Sequence, residues 1–333
     1  MATNPNMSMT LLDASRRADP DGSVAPIIEL LNESNAIVND MLVMECNSGV
    51  NHVTTIRNGL PDPIWRKYNT GVPNDKSTTT QITDHTGMME SRSLIDKKLV
   101  QINAGQDNGA SYRTSENVAF IEAMGQEVAE QIFYGSVLDS EKFIGLTERY
   151  NALSTNVLDS GYNIIDGGGT GSDNMSMWLV GWGDRAVHCL YPKGSKAGFN
   201  YEDLGEQQVA DANGYRFTAL EGKYTWDIGL SVRDWKQVVR IANIDTSLLE
   251  AGTGADLITL MIKALAKLPV LRAGNQYRFY ARQEIMTALE IQMLSKTNAA
   301  LTWGELQGQE VMKFRNIPIG RCDQLLTTEA RVK

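Results

Sequence analysis

Histidine and cysteine are scarce in this chain, and the motifs that mark common enzyme chemistries are missing. It holds three histidines and three cysteines in 333 residues. Cys46, Cys189 and Cys322 are odd in number, far apart and in no C-x-x-C pair. That excludes a disulfide framework and predicts reduced core thiols of an intracellular protein. His52 and His85 stand singly in polar, turn-rich sequence, with no cysteine or carboxylate at ligand spacing. They read as solvated surface residues, and no metal is expected. His188 adjoins Cys189, but neighbours on a strand point to opposite faces and cannot serve one another as base and nucleophile. No G-x-S-x-G, S-x-x-K, H-E-x-x-H or G-x-x-x-x-G-K-[ST] occurs, so neither catalysis nor a cofactor is expected.

Positive charge is also short. A net charge of −9 argues against a broad nucleic-acid-wrapping surface, which needs clustered Lys and Arg to displace phosphate counterions. No segment reaches 18 uninterrupted apolar residues, and the first 23 residues lack the apolar run of a signal peptide. The expectation is a chain made in the cytoplasm, soluble and away from membranes. With 42% hydrophobic and 21% charged residues, it has the composition of a globular protein of about two domains.

Two glycine-rich stretches test for ligands. GGTGSDNMS, Gly168–Ser176, fits the nonapeptide unit of calcium-binding β-helices. A single copy supplies only half of an oxygen cage, and calcium takes six to eight oxygens. The stretch therefore reads as a turn between two strands whose glycines take positive φ. YPKGSKAG, Tyr191–Gly198, has two lysines among small residues, but it lacks the Walker spacing and a following helix start, so it reads as a connecting loop.

What is present is unusual in its distribution. Residues 1–23 are polar, with Pro5, Pro20 and Gly22, and read as an extended arm without a core. From Pro26 to Cys46 the apolar residues Ile27, Leu30, Leu31, Ile37, Val38, Met41 and Leu42 recur at helical spacing, with a break at NESN. Between Val53 and Ile102 two stretches of β character flank the turn PNDKS and predict a long two-stranded ribbon. Its tip carries Ile64, Trp65 and Tyr68. An isolated hairpin is marginal in water, so this one is expected to pack beyond its own domain.

Downstream, Ser115–Tyr134 predicts an amphipathic helix with Val118, Ile121, Met124, Val128 and Ile132 on its apolar face, ended by Gly135. MWLVGW, AVHCLY, YRFTAL, YTWDIGLSV and QYRFYA predict strands. Helices are expected from about Gly254 to Leu268, with Thr253 and Asp256 as a capping box, and over RQEIMTALEIQML; EVMKFRNIPIGRCDQLL closes the chain as a strand pair. Mixed α+β with no β-α-β rhythm excludes a Rossmann fold or TIM barrel.

The order of LPDPIWRKYNTGVP, the long helix ending QIFYGS, EKFIGLTERYN, VGWGDRAVHCLYPKGSKAGF, VRIANID and NIPIGRCDQLL resembles the major capsid proteins of tailed bacteriophages with the Hong Kong 97-like fold, podovirus-like ones in particular. The resemblance implies an N-terminal arm and helix (1–50), an extended β-ribbon loop (51–104), a peripheral domain with the spine helix (105–157 and 303–333) and an axial domain (158–302). It implies pentamers and hexamers of an icosahedral virion shell around double-stranded DNA, which is touched weakly and non-specifically. The partners implied are copies of the chain, a portal, a decoration protein and a separate scaffolding protein. The last follows because only 23 residues precede the first predicted helix. An encapsulin-like compartment shell would share the fold, and an enzyme of unfamiliar type is the remaining alternative.

Charge sorts in a way that suits contacts between copies. Residues 1–50 carry Arg16 and Arg17 against seven acidic residues, Glu29 and Glu33 among them; residues 51–100 carry seven basic residues, including Arg66, Lys67 and Lys76, against five acidic ones. An interface of Ile64, Trp65, Arg66, Lys67, Tyr68 and Lys76 on the ribbon with Arg16, Arg17, Glu29 and Glu33 on the arm is therefore expected. Some relatives cross-link through a Lys and an Asn; Lys67 or Lys76 would be the lysine, but no matching Asn and carboxylate are evident, and no cross-link is expected.

Overall fold

The structure is a computed structural model that describes residues 35–102, 110–211, 213–269, 274–295, 301–306 and 309–333. The predicted arm, the first half of the predicted N-terminal helix, and Arg16, Arg17, Glu29 and Glu33 lie outside the described residues.

In chain order the elements are α1 (Ala36–Asp40), β1 (Val43–Glu45), β2 (Asn51–Gly59), β3 (Thr78–Asp96), α2 (Lys97–Ile102), α3 (Ala110–Tyr134), α4 (Leu146–Arg149), β4 (Ile164–Asp166), β5 (Asn174–Trp182) and β6 (Val187–Tyr191). There follow β7 (Phe199–Ala210), β8 (Arg216–Val232), β9 (Val238–Asp245), α5 (Thr246–Glu250), α6 (Leu257–Lys267), β10 (Gln276–Ala281), α7 (Gln283–Ser295), β11 (Leu301–Leu306), β12 (Gln309–Phe314) and β13 (Ile317–Arg321). The chain divides into two compact units.

The larger unit comprises Ser34–Gly87, Ala129–Ser195 and Ile228–Lys333. Strand β5 lies at its centre, and all nine of its residues are buried. It runs antiparallel to β10 (Phe279 opposite Leu179) and to β9 (Met177 opposite Ile241), while β13 lies parallel to β10 and β4 parallel to β9. Burial on both faces explains the apolar run MWLVGW, which shows no alternation, and VVRIA, where only Arg240 interrupts the apolar residues. Helix α6 lays Leu257, Leu260, Met261 and Ala264 into the core with Met177, Leu179, Phe279 and Phe314, each large side chain contributing about 1.5–3 kcal/mol. Its N-cap is Asp256 alone, whose carboxylate accepts from Thr259 N and Thr259 Oγ1, and Thr253 takes no part in the cap.

The smaller unit comprises Met88–Val128 and Lys196–Asp227. Its main feature is the antiparallel pair β7–β8, in register from Phe199 opposite Trp226 to Ala210 opposite Arg216. Ile95, Leu99 and Val100 pack with Leu220, and Tyr224 stacks on Phe120 at 4.6 Å and against Tyr201 at 5.1 Å. The Arg113 guanidinium grips both carboxylate oxygens of Asp203 at 2.9 and 2.8 Å.

Several expectations are corrected. YRFTAL and YTWDIGLSV form one strand, because the residues between them keep extended pairing with β7. That partner, FNYEDLGEQQVA, is polar and was not predicted as a strand. The ribbon's far end turns helical at Lys97. Past NESN the helix lasts only five residues, since Val43–Glu45 pair with β6 instead. On α3, Met124, Val128 and Ile132 are buried, but Val118 and Ile121 are 48% and 46% exposed, and Phe120 makes the aromatic stack. His52 is 9% exposed, not a solvated surface residue: it faces inward on β2, opposite Asp84 of β3.

Candidate subunit interface at the ribbon tip

The predicted ribbon is present only at its base: LPDPIWRKYNTGVP, expected as strand, lies in the unpaired stretch 60–77, where Pro61 and Pro63 have no N–H to give a ladder. β2 and β3 pair antiparallel from Asn51 opposite His85 to Gly59 opposite Thr78, with a register shift between Arg57 and Gly59. Thr, Val and Ile at alternating positions suit a pleated strand. The shift falls where Asn58 donates to Thr80 Oγ1 at 2.9 Å, and an irregularity of this kind bends and twists a ribbon. Beyond it, residues 60–77 form a tip without regular pairing.

One carboxylate organises that tip. Asp75 Oδ2 accepts the Asp62 amide at 2.6 Å and Oδ1 accepts its neighbour Lys76's amide at 2.7 Å, so the two arms of the tip are tied together. These two backbone donors, Asp62 first, hold the Asp75 carboxyl below the usual carboxylate range. Inside the tip, Thr70 Oγ1 donates to the Lys67 carbonyl at 2.7 Å, and Asn69 takes a φ of 63°, a left-handed turn that asparagine tolerates.

The tip's apolar residues face outward. Trp65 is 100% exposed and Tyr68 96%, beside Leu60 at 78%, Ile64 at 54% and Val72 at 46%. Apolar and aromatic exposure on this scale is the pattern expected of a contact site. Arg66, Lys67 and Lys76 are exposed on the same tip, so all six ribbon residues singled out in the sequence fall together. Leu60, Val72 and the Asp75 clamp were missed; the turn-forming PND was the only sequence signal for the clamp.

The root of the ribbon is, by contrast, anchored. Asp84 is 4% exposed and accepts from Arg149 of α4 at 2.7 Å, and the same guanidinium donates to the Leu230 carbonyl of β8 at 3.2 Å. His85 Nδ1 meets Asn51 Oδ1 at 2.8 Å, and Thr86 Oγ1 donates to the Val50 carbonyl.

The glycine-rich stretch gives no cation cage. The Asp173 carboxylate accepts from Ser247 N and Ser247 Oγ, and Thr246 N and Oγ1 donate to the Asp173 carbonyl. Gly167 N and Gly169 N donate to the carbonyls of Ala242 and Asn243 at 2.8 Å, so the loop is tied along β9 and does not hang free. Gly168 has a φ of 89°, as a glycine turn requires. Among the described residues no group of three or more His, Cys, Asp or Glu is placed to hold a metal, and no helix is long and apolar enough to cross a membrane.

Comparison with known proteins places these features. The family model described as major capsid protein GP7 matches residues 19–333. A chain from the structure of bacteriophage Epsilon15 is similar at 35% identity and a TM-score of 0.80, over 100% of this chain and 99% of that one. The bacteriophage JBD30 capsid chain is 6% identical with a TM-score of 0.49, over 89% of this chain and 92% of that one. No curated protein matches.

Proposed function

The chain belongs to the major capsid protein GP7 family, and from that premise we propose that it is the shell-forming subunit of a tailed-phage head, which self-assembles as pentamers and hexamers around double-stranded DNA. Its mixed α and β architecture is of the Hong Kong 97-like kind seen in phage capsids. The observation that carries the assembly reading is the ribbon tip, where fully exposed Trp65 and nearly fully exposed Tyr68 stand on a clamped projection. Such residues make sense when a neighbouring copy covers them, as repeated heterologous contacts do in a closed shell.

On this reading Ile64, Trp65, Arg66, Lys67, Tyr68 and Lys76 contact an adjacent subunit, with Arg16, Arg17, Glu29 and Glu33 of the arm among the facing charges. Residues 51–104 act as the extended loop, 105–157 and 303–333 as the peripheral domain, and 158–302 as the axial domain. A separate scaffolding protein, the portal and a decoration protein complete the partner set, and the chain is made in the host cytoplasm. Its role is structural rather than catalytic.

Negative-stain microscopy of the purified chain, with and without a co-expressed scaffolding protein from the same phage, tests this. Closed shells of phage-head size are expected with the scaffold. Dispersed monomers under both conditions would overturn the reading.

A further inference from the structure

The root of the ribbon contains a buried polar cluster. His52 of β2 and His188 of β6 meet edge to face, with ring centroids 5.5 Å apart at an interplanar angle of 85°. They are 9% and 0% exposed. Neither ring nitrogen of His188 has a hydrogen-bond partner, nor has Nδ1 of His52; Thr54 Oγ1, Asp84 Oδ2 and Ser231 Oγ are likewise unpartnered. Ser231 stands opposite His188 on β8, and Asp84 opposite His52 on β3. Backbones also approach closely here: a Cβ on Gly229 of β8 would lie 2.6 Å from the His85 carbonyl oxygen and 3.0 Å from Thr86 Cα of β3.

We propose that the ribbon root is a proton-sensitive joint, in which protonation of His188 and His52 loosens the seat of β2 and β3 on β6 and β8. Both rings are buried against each other, and burial outweighs the backbone at Gly183, which favours a proton on His188, so the packed arrangement fits neutral imidazoles. Two imidazolium rings at this separation would repel each other in a low-dielectric site. The surrounding charges do not cancel the effect. Asp84 attracts a proton, but Arg149 engages its Oδ1 and offsets part of its charge. Arg233 opposes protonation of both rings. The Cys46 thiol, with Glu45 beside it, stays protonated and neutral, pushed up to about 11 chiefly by burial.

Burial, reinforced by His52, lowers His188 to about 4, and burial lowers His52 in the same direction. The closed joint therefore binds fewer protons than the open one. Its stability is full above the ordinary histidine value of about 6.5 and declines as pH falls toward the lowered value. For His188 alone, the opening equilibrium should rise roughly 20-fold between pH 7 and pH 5.

Amide hydrogen exchange of the full-length unassembled protein reads this directly, with rates corrected for the intrinsic pH dependence. Protection of residues 51–59 and 78–87 should fall roughly 20-fold from pH 7 to pH 5, while β5 and α6 hold theirs. His188→Gln should flatten that fall. Should His188→Gln not fold, His52→Gln takes its place. Exchange of the imidazole C2 protons in the wild-type protein then reports each histidine's own titration. Ribbon protection that ignores pH, an undiminished fall in the folded His188→Gln or His52→Gln protein, or an ordinary midpoint for His188 would overturn the proposal.

Discussion

Arg240 and Glu329 form an ion pair at 2.8 Å in the interior of the larger unit, with side chains 2% and 4% exposed. The guanidinium also donates to Ser176 Oγ and the Tyr150 carbonyl and lies over the Trp178 ring, while Glu329 accepts from Tyr134 and Ser176. Both charged groups are engaged by partners on every side, which is the condition for tolerating a buried pair. The pair fixes the last residues of the chain, and Asn243 secures them again through both N–H and C=O of Val332.

Glu329→Ala should therefore cost about 3–5 kcal/mol, because it leaves Arg240 charged and buried. Urea unfolding of the unassembled subunit measures it. A change under about 1 kcal/mol would show that water reaches Arg240 and that the pair does not hold the tail.

Trp65→Ala should leave the subunit's own stability unchanged, since the side chain is 100% exposed, yet reduce particle yield. Truncating an interface aromatic typically costs about 2 kcal/mol or more per contact, and a shell repeats that contact in every copy. Arg66→Glu should weaken particles in a salt-dependent way. Thermal unfolding of the unassembled protein and a sucrose gradient of particles, run on one preparation, give both readouts. A lowered Tm with normal particles would place Trp65 in an internal core.

Asp75→Ala should unfasten the tip without affecting the fold. The Asp62 and Lys76 amides lose their acceptor, so their exchange should speed up several-fold while global unfolding stays put. The depressed carboxyl also sets a sign: the clamp is complete above the ordinary aspartate value of about 4 and is lost as pH falls through the lowered one. The protection that the clamp gives these amides in the wild-type protein should consequently be constant from about pH 5 upward.

Gly135→Ala tests the end of α3. A Cβ there would run into the Phe143 carbonyl oxygen and stand 2.7 Å from Gly145 N, in a crossing where Gly145 N donates to the Gly135 carbonyl and Gln131 Nε2 to the Phe143 carbonyl. Overpacking against backbone has no flexible neighbour to yield, and a loss of about 1–3 kcal/mol is expected in thermal unfolding. An unchanged Tm would mean that the crossing relaxes freely.

Elements with a strong local period were legible from the sequence. The apolar run of β5, the base strands of the ribbon, and the helix that ends before Gly135 follow from side chains that must leave water together. The exposed character of Trp65 and Tyr68 was legible too, because a two-stranded ribbon has no second layer to cover them. Polar strands were not: β7 has few apolar residues, and only its register with β8 makes it a strand.

Tertiary structure alone decided which polar residues turn inward. His52 and Thr54 sit on the buried face of β2, where period-two geometry turns them inward whatever their polarity. Val118 and Ile121 are apolar and on a helix, yet exposed, because Phe120 of the same turn took the aromatic partner. Asp173 was legible as part of a turn, but that Ser247, 74 residues on, would take its Oδ2 was not. Arg240 and Glu329, 89 residues apart, show the general reason. Local pattern fixes which side of an element is apolar, but the partner that satisfies a buried charge is set by where the chain returns, and no spacing in the sequence records that return.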